Sequence, residues 1–220
     1  VRVYDKRDYE AAAEQLAASL KMGAGPYTCL LYLKCWIQQE DYERLTEECD
    51  IALTRDDFDD WDKAVVYTFR GYANYRLEKY ADAIADYTKA INVAPQATVQ
   101  PLAYGYRGWI YATCPDAQYI DPRLADRDAD FVISVVGPAN WIFCDQVAAM
   151  CARAENYEFA QDVQAYAIEG VEEDDDLSEQ QRKELLIRLR HRMQLYQSGQ
   201  PYQEETPQQG PLLEGQHYAY

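Results

Sequence analysis

The stretch AVVYTFRGYANYRLEKYADAIADYTKAINVAP, residues 64 to 95, limits what this chain can fold into more than any other. Gly71 stands nine residues before Tyr80, and Ala83, Tyr87, Ala90 and Ile91 follow, with Pro95 at the end. Returns every three or four residues place Tyr80, Tyr87 and Ala90 on one face of a helix. Gly71 and Ala83 put minimal side chains where two antiparallel helices cross, and Pro95 stops the second helix. A helix pair of this kind cannot bury its apolar face alone, so the pattern predicts stacked neighbours.

The neighbours are present. EDYERLTEECDIAL repeats the second-helix pattern with Tyr42, Leu45, Cys49, Ala52 and Leu53, and CLLYLKCWIQQ before it supplies the first helix. RDYEAAAEQLAASL repeats it again with Tyr9, Ala12, Leu16, Ser19 and Leu20. The step from Tyr9 to Tyr42 is 33 residues and from Tyr42 to Tyr80 is 38, the excess falling in the acidic connector TRDDFDDWDK. VQPLAYGYRGWIYATC carries Arg107-Gly108 where the template has Arg70-Gly71, and Ala148, Tyr157, Ala160, Gln164, Ala167 and Ile168 mark a further pair. Val1 to Lys6 begin midway through a first helix, so the opening pair lacks half its complement and leaves an edge for upstream repeats or a partner.

After the acidic run EEDDD, Ser178 is the expected N-cap of a helix whose Leu185, Leu189, Arg192 and Tyr196 suit the closing face of a stack. Residues 1–198 therefore read as one helical-repeat domain with a capping helix, and 199–220 as a tail rich in Pro, Gln and Gly. Between Thr113 and Arg123 the segment YATCPDAQYIDP lengthens one turn: Gly108 to Ala125 spans 17 residues where Gly71 to Ala83 spans 12. Pro115 ends the first helix there, Asp116 bonds nearby amides, Asp121 caps the next helix and Pro122 fits its first turn.

The template spacing closely resembles that of tetratricopeptide repeat proteins. Residues 112 to 204 further resemble the C-terminal module of a group of bacterial tetratricopeptide proteins, with an A-T-C-P-D-A-x-Y-x-D turn and a closing R-L-x-L-Y-x-x-G-x-P-Y-R-E. This chain departs at Asn156-Tyr157 and at Gln203, where that group has Arg. The resemblance implies an all-α, right-handed superhelical solenoid of about five antiparallel helix pairs. It implies a protein-protein interaction scaffold with no catalytic residues of its own. In such stacks the first helices line a concave face, which makes Lys34, Gln38, Tyr72, Tyr75, Arg76, Trp109 and Arg153 the candidate partner-binding residues. Tyr72, Tyr75, Arg76 and Trp109 are of the types enriched at binding hot spots. Aromatic residues at this spacing also serve as packing between helices. Of the Lys and Asn clamp that grips a C-terminal carboxylate in chaperone-binding relatives, only Lys34 and Arg76 have counterparts, so an acidic C-terminal peptide is not the expected ligand.

Net charge is −17, from 38 acidic against 21 basic side chains, which repels phosphate backbones and anionic lipid and fits a basic partner. No run reaches the roughly 18 apolar residues of a membrane span. The six cysteines form no C-x-x-C, and His191 and His217 are the only histidines, so no zinc site and no cofactor are expected. DDFDDWD lacks the glycine and terminal glutamate of a calcium loop and reads as a solvated connector. Nucleotide-binding glycine loops, the serine-hydrolase elbow and the zinc-protease motif are missing, and the expectation is a protein that is not an enzyme. Two further readings stand beside the scaffold: a structural subunit of a larger extracytoplasmic assembly, and a thiol-dependent sensor using Cys114 or the Cys144 and Cys151 pair. Compartment is unreadable from the N-terminus. The tail GPLLEGQHYAY is apolar enough to occupy a groove in its own chain or a neighbour.

Overall fold

The computed structural model describes residues 6–95, 100–137 and 140–207, and among these the regular structure is entirely helical. Contacts gather the chain into two compact units, one reaching Ala103 and the other beginning at Tyr104.

The N-terminal unit holds α1 (Lys6–Lys21), α2 (Pro26–Gln39), α3 (Tyr42–Ala52), α4 (Asp60–Arg76), α5 (Tyr80–Val93) and the start of α6 (Gln100–Thr113). Each of α1 to α4 packs on the next, and α2 also touches α4. Leu33, Leu45, Cys49, Val65, Phe69 and Tyr87 are fully buried between them. A Cβ on Gly71 would stand 2.9 Å from Tyr87 Cε1, so the glycine makes room for the tyrosine ring. The expected close approach is present, with an aromatic face against the glycine.

The expected solvated connector is partly built into the fold. Asp59 and Asp62 form a reciprocal capping box at the start of α4, Arg55 donates to Asp57 and to the carbonyl of Ala24, and Phe58 is buried. Its acidity supplies helix-start acceptors, which the N-terminal pole of a helix favours.

The C-terminal unit holds the rest of α6, then α7 (Pro122–Val136), α8 (Trp141–Arg153), α9 (Tyr157–Glu173) and α10 (Glu179–Gln197). From α7 onward each helix packs on its successor, and α8 also touches α10. The lengthened turn is made as its residues foretell: α6 ends at Thr113, Asp116 accepts from the Gln118 amide at 3.1 Å, and Asp121 accepts from the amides of Arg123 and Leu124 with Pro122 opening α7. Ser178 caps α10 with Gln181 in a reciprocal box, and Leu185, Leu189, Arg192 and Tyr196 are its buried face.

One turn recurs in both units. Glu40, Glu78 and Glu155 take φ of 58°, 61° and 65° at the end of α2, α4 and α8. At each, the glutamate amide and the next one bond back to the helix: Glu78 to Tyr75 and Lys79 to Asn74, with matching pairs at Glu40-Asp41 and Glu155-Asn156. This double back-bond satisfies the orphan carbonyls of a helix end and reverses the chain directly into the next helix.

A second recurring device is an ion pair between paired helices. Arg70 grips Asp86 with two bonds of 2.9 and 2.6 Å, and Arg107 grips Asp128 with two of 2.8 Å. The equivalent positions in the α8 and α9 pair are Val147 and Val163, both buried, so the same location is filled apolarly there.

Candidate functional site

Gly199, at φ 69°, ends α10 and its amide bonds back to Tyr196. Beyond Pro201 the chain runs without regular structure as Tyr202-Gln203-Glu204, and Tyr202 and Glu204 are only 8% and 3% exposed. Within the stretch read as a Pro-, Gln- and Gly-rich tail, Tyr202, Glu204 and Pro207 are thus buried, while Gln203, Glu205 and Thr206 are exposed.

The segment is held through main chain and side chains together. The Glu204 amide donates to the Thr113 carbonyl at 2.8 Å, and Arg153 Nη2 donates to the Tyr202 carbonyl at 3.0 Å. Arg153 Nε also donates to the carbonyl of Ala112, and the Gln203 amide side chain to that of Cys114 at 3.2 Å. Trp109 Nε1 donates to Glu204 Oε1 at 2.8 Å. The Arg192 guanidinium lies 4.8 Å from the centre of the Trp109 ring and 4.5 Å from that of Tyr202, stacking against both π faces. These contacts define a groove walled by α6, α8 and α10.

Beneath it lies a buried charge network. Arg192, 1% exposed, pairs with Asp145, whose other oxygen accepts from Gln164 Nε2 at 3.1 Å; Gln164 also reaches the Leu189 carbonyl at 3.2 Å. One turn earlier on α10 is the half-buried Arg188. Burial lowers its pKa, the nearby Arg192 lowers it further, and Asp145, Tyr202 and Glu204 oppose them. Its Nε is buried and meets no hydrogen-bond partner among the described residues.

The expected partner-binding residues separate into three groups. Tyr72 and Tyr75 are 1% exposed and offer no surface to a partner, whereas Trp109 is covered by the 201–204 segment. The two tyrosines pack: Tyr72 meets Tyr42 edge to face at 5.9 Å and lies 6.5 Å from Tyr75. Arg76 is half-buried beside them, donating to Tyr72 Oη at 2.7 Å and lying 4.7 Å over the Tyr42 ring. Lys34 and Gln38 are half-exposed on α2, and burial lowers the Lys34 pKa. Arg153, with Trp109, holds the 201–204 segment. The hypothesis that residues 210–220 fill a groove, and the question of what completes the first helix pair before α1, fall on residues outside those described.

The buried carboxylates and thiols are engaged in packing. The buried carboxylates among the described residues are Asp62, Asp86, Asp128, Asp145 and Glu204, and each is tied to a cap, an arginine or an indole. All six cysteines are buried thiols that form no disulfide. Burial pushes the Cys114 and Cys151 thiols up to about 12 and Cys144 to about 11, which favours the protonated thiol at neutral pH. A polar recess of about 340 Å³ lies over Arg70, which is pinned between Asp86 and Asp50. Among the described residues no cluster of metal-ligating side chains occurs, and no helix is long and apolar enough to cross a membrane.

Comparison with family models, curated proteins and solved structures returns no match for this chain. The function is therefore read from its own geometry. Tyr202, Glu204 and Arg188 were not among the residues expected at a site. Their signal in the sequence is slight: an aromatic and an acid just beyond Gly199 and Pro201, and two arginines one turn apart on the closing helix.

Proposed function

We infer that the chain is a non-catalytic protein-protein interaction scaffold of the tetratricopeptide kind, whose helix pairs present grooves to extended segments of protein. The observation that carries this reading is the seating of Tyr202-Gln203-Glu204 against α6, α8 and α10, by one main-chain amide bond, arginine contacts to a carbonyl and an aromatic ring, and one indole-carboxylate bond. Peptide-binding grooves recognise partners with these same elements. The commitment of the buried carboxylates and thiols to packing supports a non-catalytic role.

The chain as a whole is acidic, which favours a basic partner at long range. The groove is locally the reverse, lined by Arg153, Arg188 and Arg192. Overall charge governs encounter, while the groove chemistry governs what is gripped.

The test is affinity capture with mass spectrometry, comparing the native chain with a Lys34→Glu, Gln38→Glu variant shown by circular dichroism to be folded. The scaffold reading expects a specific partner at reproducible stoichiometry, retained by the native chain and reduced in the variant if it uses α2. Capture of no specific partner by the native chain contradicts it.

A further inference from the structure

The groove in the C-terminal unit carries more than the general scaffold reading, on which the following rests. The 201–204 segment is not continuous with any helix packing. It leaves α10 through Gly199 in the left-handed conformation and lies across α6 in an irregular path. Its anchors include an aromatic ring against Arg192 and a carboxylate on Trp109 Nε1, with Gln203 between them. The main chain makes one amide bond to Thr113 and receives one from Arg153. An aromatic residue, a middle residue whose exposed side chain lies against the Cys114 carbonyl, and an acid form the pattern these walls read.

Arg188 leaves the groove chemistry incomplete. It stands a turn from Arg192 and feels the charges of Tyr202 and Glu204, yet its buried Nε donates to nothing among the described residues. A buried guanidinium donor with no acceptor is costly, and a carboxylate brought by another chain would satisfy it. The segment already seated has the advantage of linkage, since a ligand joined by a short tether acts at an effective concentration in about the millimolar range. A competitor needs an added interaction to win, and Arg188 is the cation left to provide it.

We propose that the groove walled by α6, α8 and α10 is a docking site for an extended peptide of the form aromatic-x-acid with one further carboxylate, and that Tyr202-Gln203-Glu204 occupies it in cis as an internal competitor. The bound partner places its aromatic ring beside Arg192, its first acid on Trp109 Nε1 and its second on Arg188. The cis segment closes the groove until such a partner arrives.

The probes are a fluorescent peptide of sequence GQPYQEETP, its scrambled form, and variants with one Asp placed singly at each position that is neither acidic nor the tyrosine. They are titrated by anisotropy into the full native chain, a Tyr202→Ala, Glu204→Ala chain and the same chain with Arg188→Gln. The double variant should bind the parent peptide at least about ten-fold more tightly than the native chain does. At least one Asp-bearing peptide should gain about ten-fold more, and Arg188→Gln should remove that gain alone. A folded double variant that binds no better than the native chain, that binds the scrambled peptide equally, or that gains nothing through Arg188 overturns the proposal.

Hydrogen exchange on the native chain keeps the test independent of that variant's folding. The Glu204 amide should exchange at least about 100-fold faster than the α8 amides, because the segment opens by itself. Exchange of both at the same rate would mean that 201–204 is a fixed part of the core, which overturns the proposal. A negative result here, with a partner still captured by the native chain, removes the groove assignment and leaves the scaffold reading standing. Absence of any captured partner removes the scaffold reading.

Discussion

The indole of Trp109 and the carboxylate of Glu204, 95 residues apart in sequence, meet through a 2.8 Å hydrogen bond with both residues almost wholly buried. A bond to a charged acceptor in such a setting contributes about 1.5 to 3 kcal/mol. A double-mutant cycle of Trp109→Phe and Glu204→Gln, read from urea unfolding, should give a coupling energy of about 1 kcal/mol or more. Additive single effects would mean that the two groups do not interact in solution.

Arg192 and Asp145 should depend on each other more strongly. Removing either leaves the other charge buried without its opposite, at a cost of about 3 to 5 kcal/mol. Arg192→Met and Asp145→Leu are each expected to lower the urea midpoint sharply, and the combined variant should recover much of the loss. A combined variant as unstable as the sum of the two would show that Gln164 and the ring stacking carry the network instead.

The left-handed glutamates lie at positions better suited to glycine. A side chain in this conformation costs roughly 1 to 2 kcal/mol, part of which glycine gives back in unfolded-chain entropy. Glu78→Gly should therefore raise stability by up to about 1 kcal/mol, measured as a shift in the thermal or urea midpoint, and Glu155→Gly should do the same. Destabilisation would point to a side-chain role for these glutamates.

Alkaline pH should weaken the fold. Cys114, Cys144 and Cys151 have pKa values raised by burial from an ordinary 9.0 to about 12, 11 and 12. The folded chain keeps these protons while the unfolded chain releases them, so their contribution to stability is complete below pH 9 and declines as pH rises toward 11 to 12. Each adds a slope of up to about 1.4 kcal/mol per pH unit. Urea midpoints at pH 8 and pH 10 should fall accordingly, and Cys114→Ala with Cys151→Ala should flatten the decline. The same burial predicts that a thiol reagent at neutral pH labels these cysteines only at the rate of unfolding or local opening.

Local signals in this sequence were strong where helix ends and pairings are decided by nearest neighbours. Pro115, Asp116, Asp121 and Pro122 fix the long turn, Ser178 fixes the start of α10, and its buried face repeats every three or four residues. The candidate site was harder to read, because burial depends on contacts between residues far apart. Tyr72, Tyr75 and Trp109 share the spacing of groove residues and of packing residues, and only the tertiary structure separates the two. Pro201 and Tyr202 look like tail by composition; it is Trp109, Arg153 and Arg192 that turn them into a seated peptide. Arg188 gave only its spacing one turn before Arg192, since its unmet donor appears only once the surrounding helices are in place.

Photo-crosslinking from the seated segment itself provides a decisive measurement. With p-benzoylphenylalanine in place of Gln203, whose exposed side chain lies against the carbonyls of Cys114 and Pro115, irradiation and peptide mapping of the native chain should yield intrachain adducts concentrated on the end of α6 and the turn after it. A saturating aromatic-x-acid peptide should reduce them. Adducts scattered over the surface, or none within the chain, would contradict the seated segment and with it the observation that carries the functional reading.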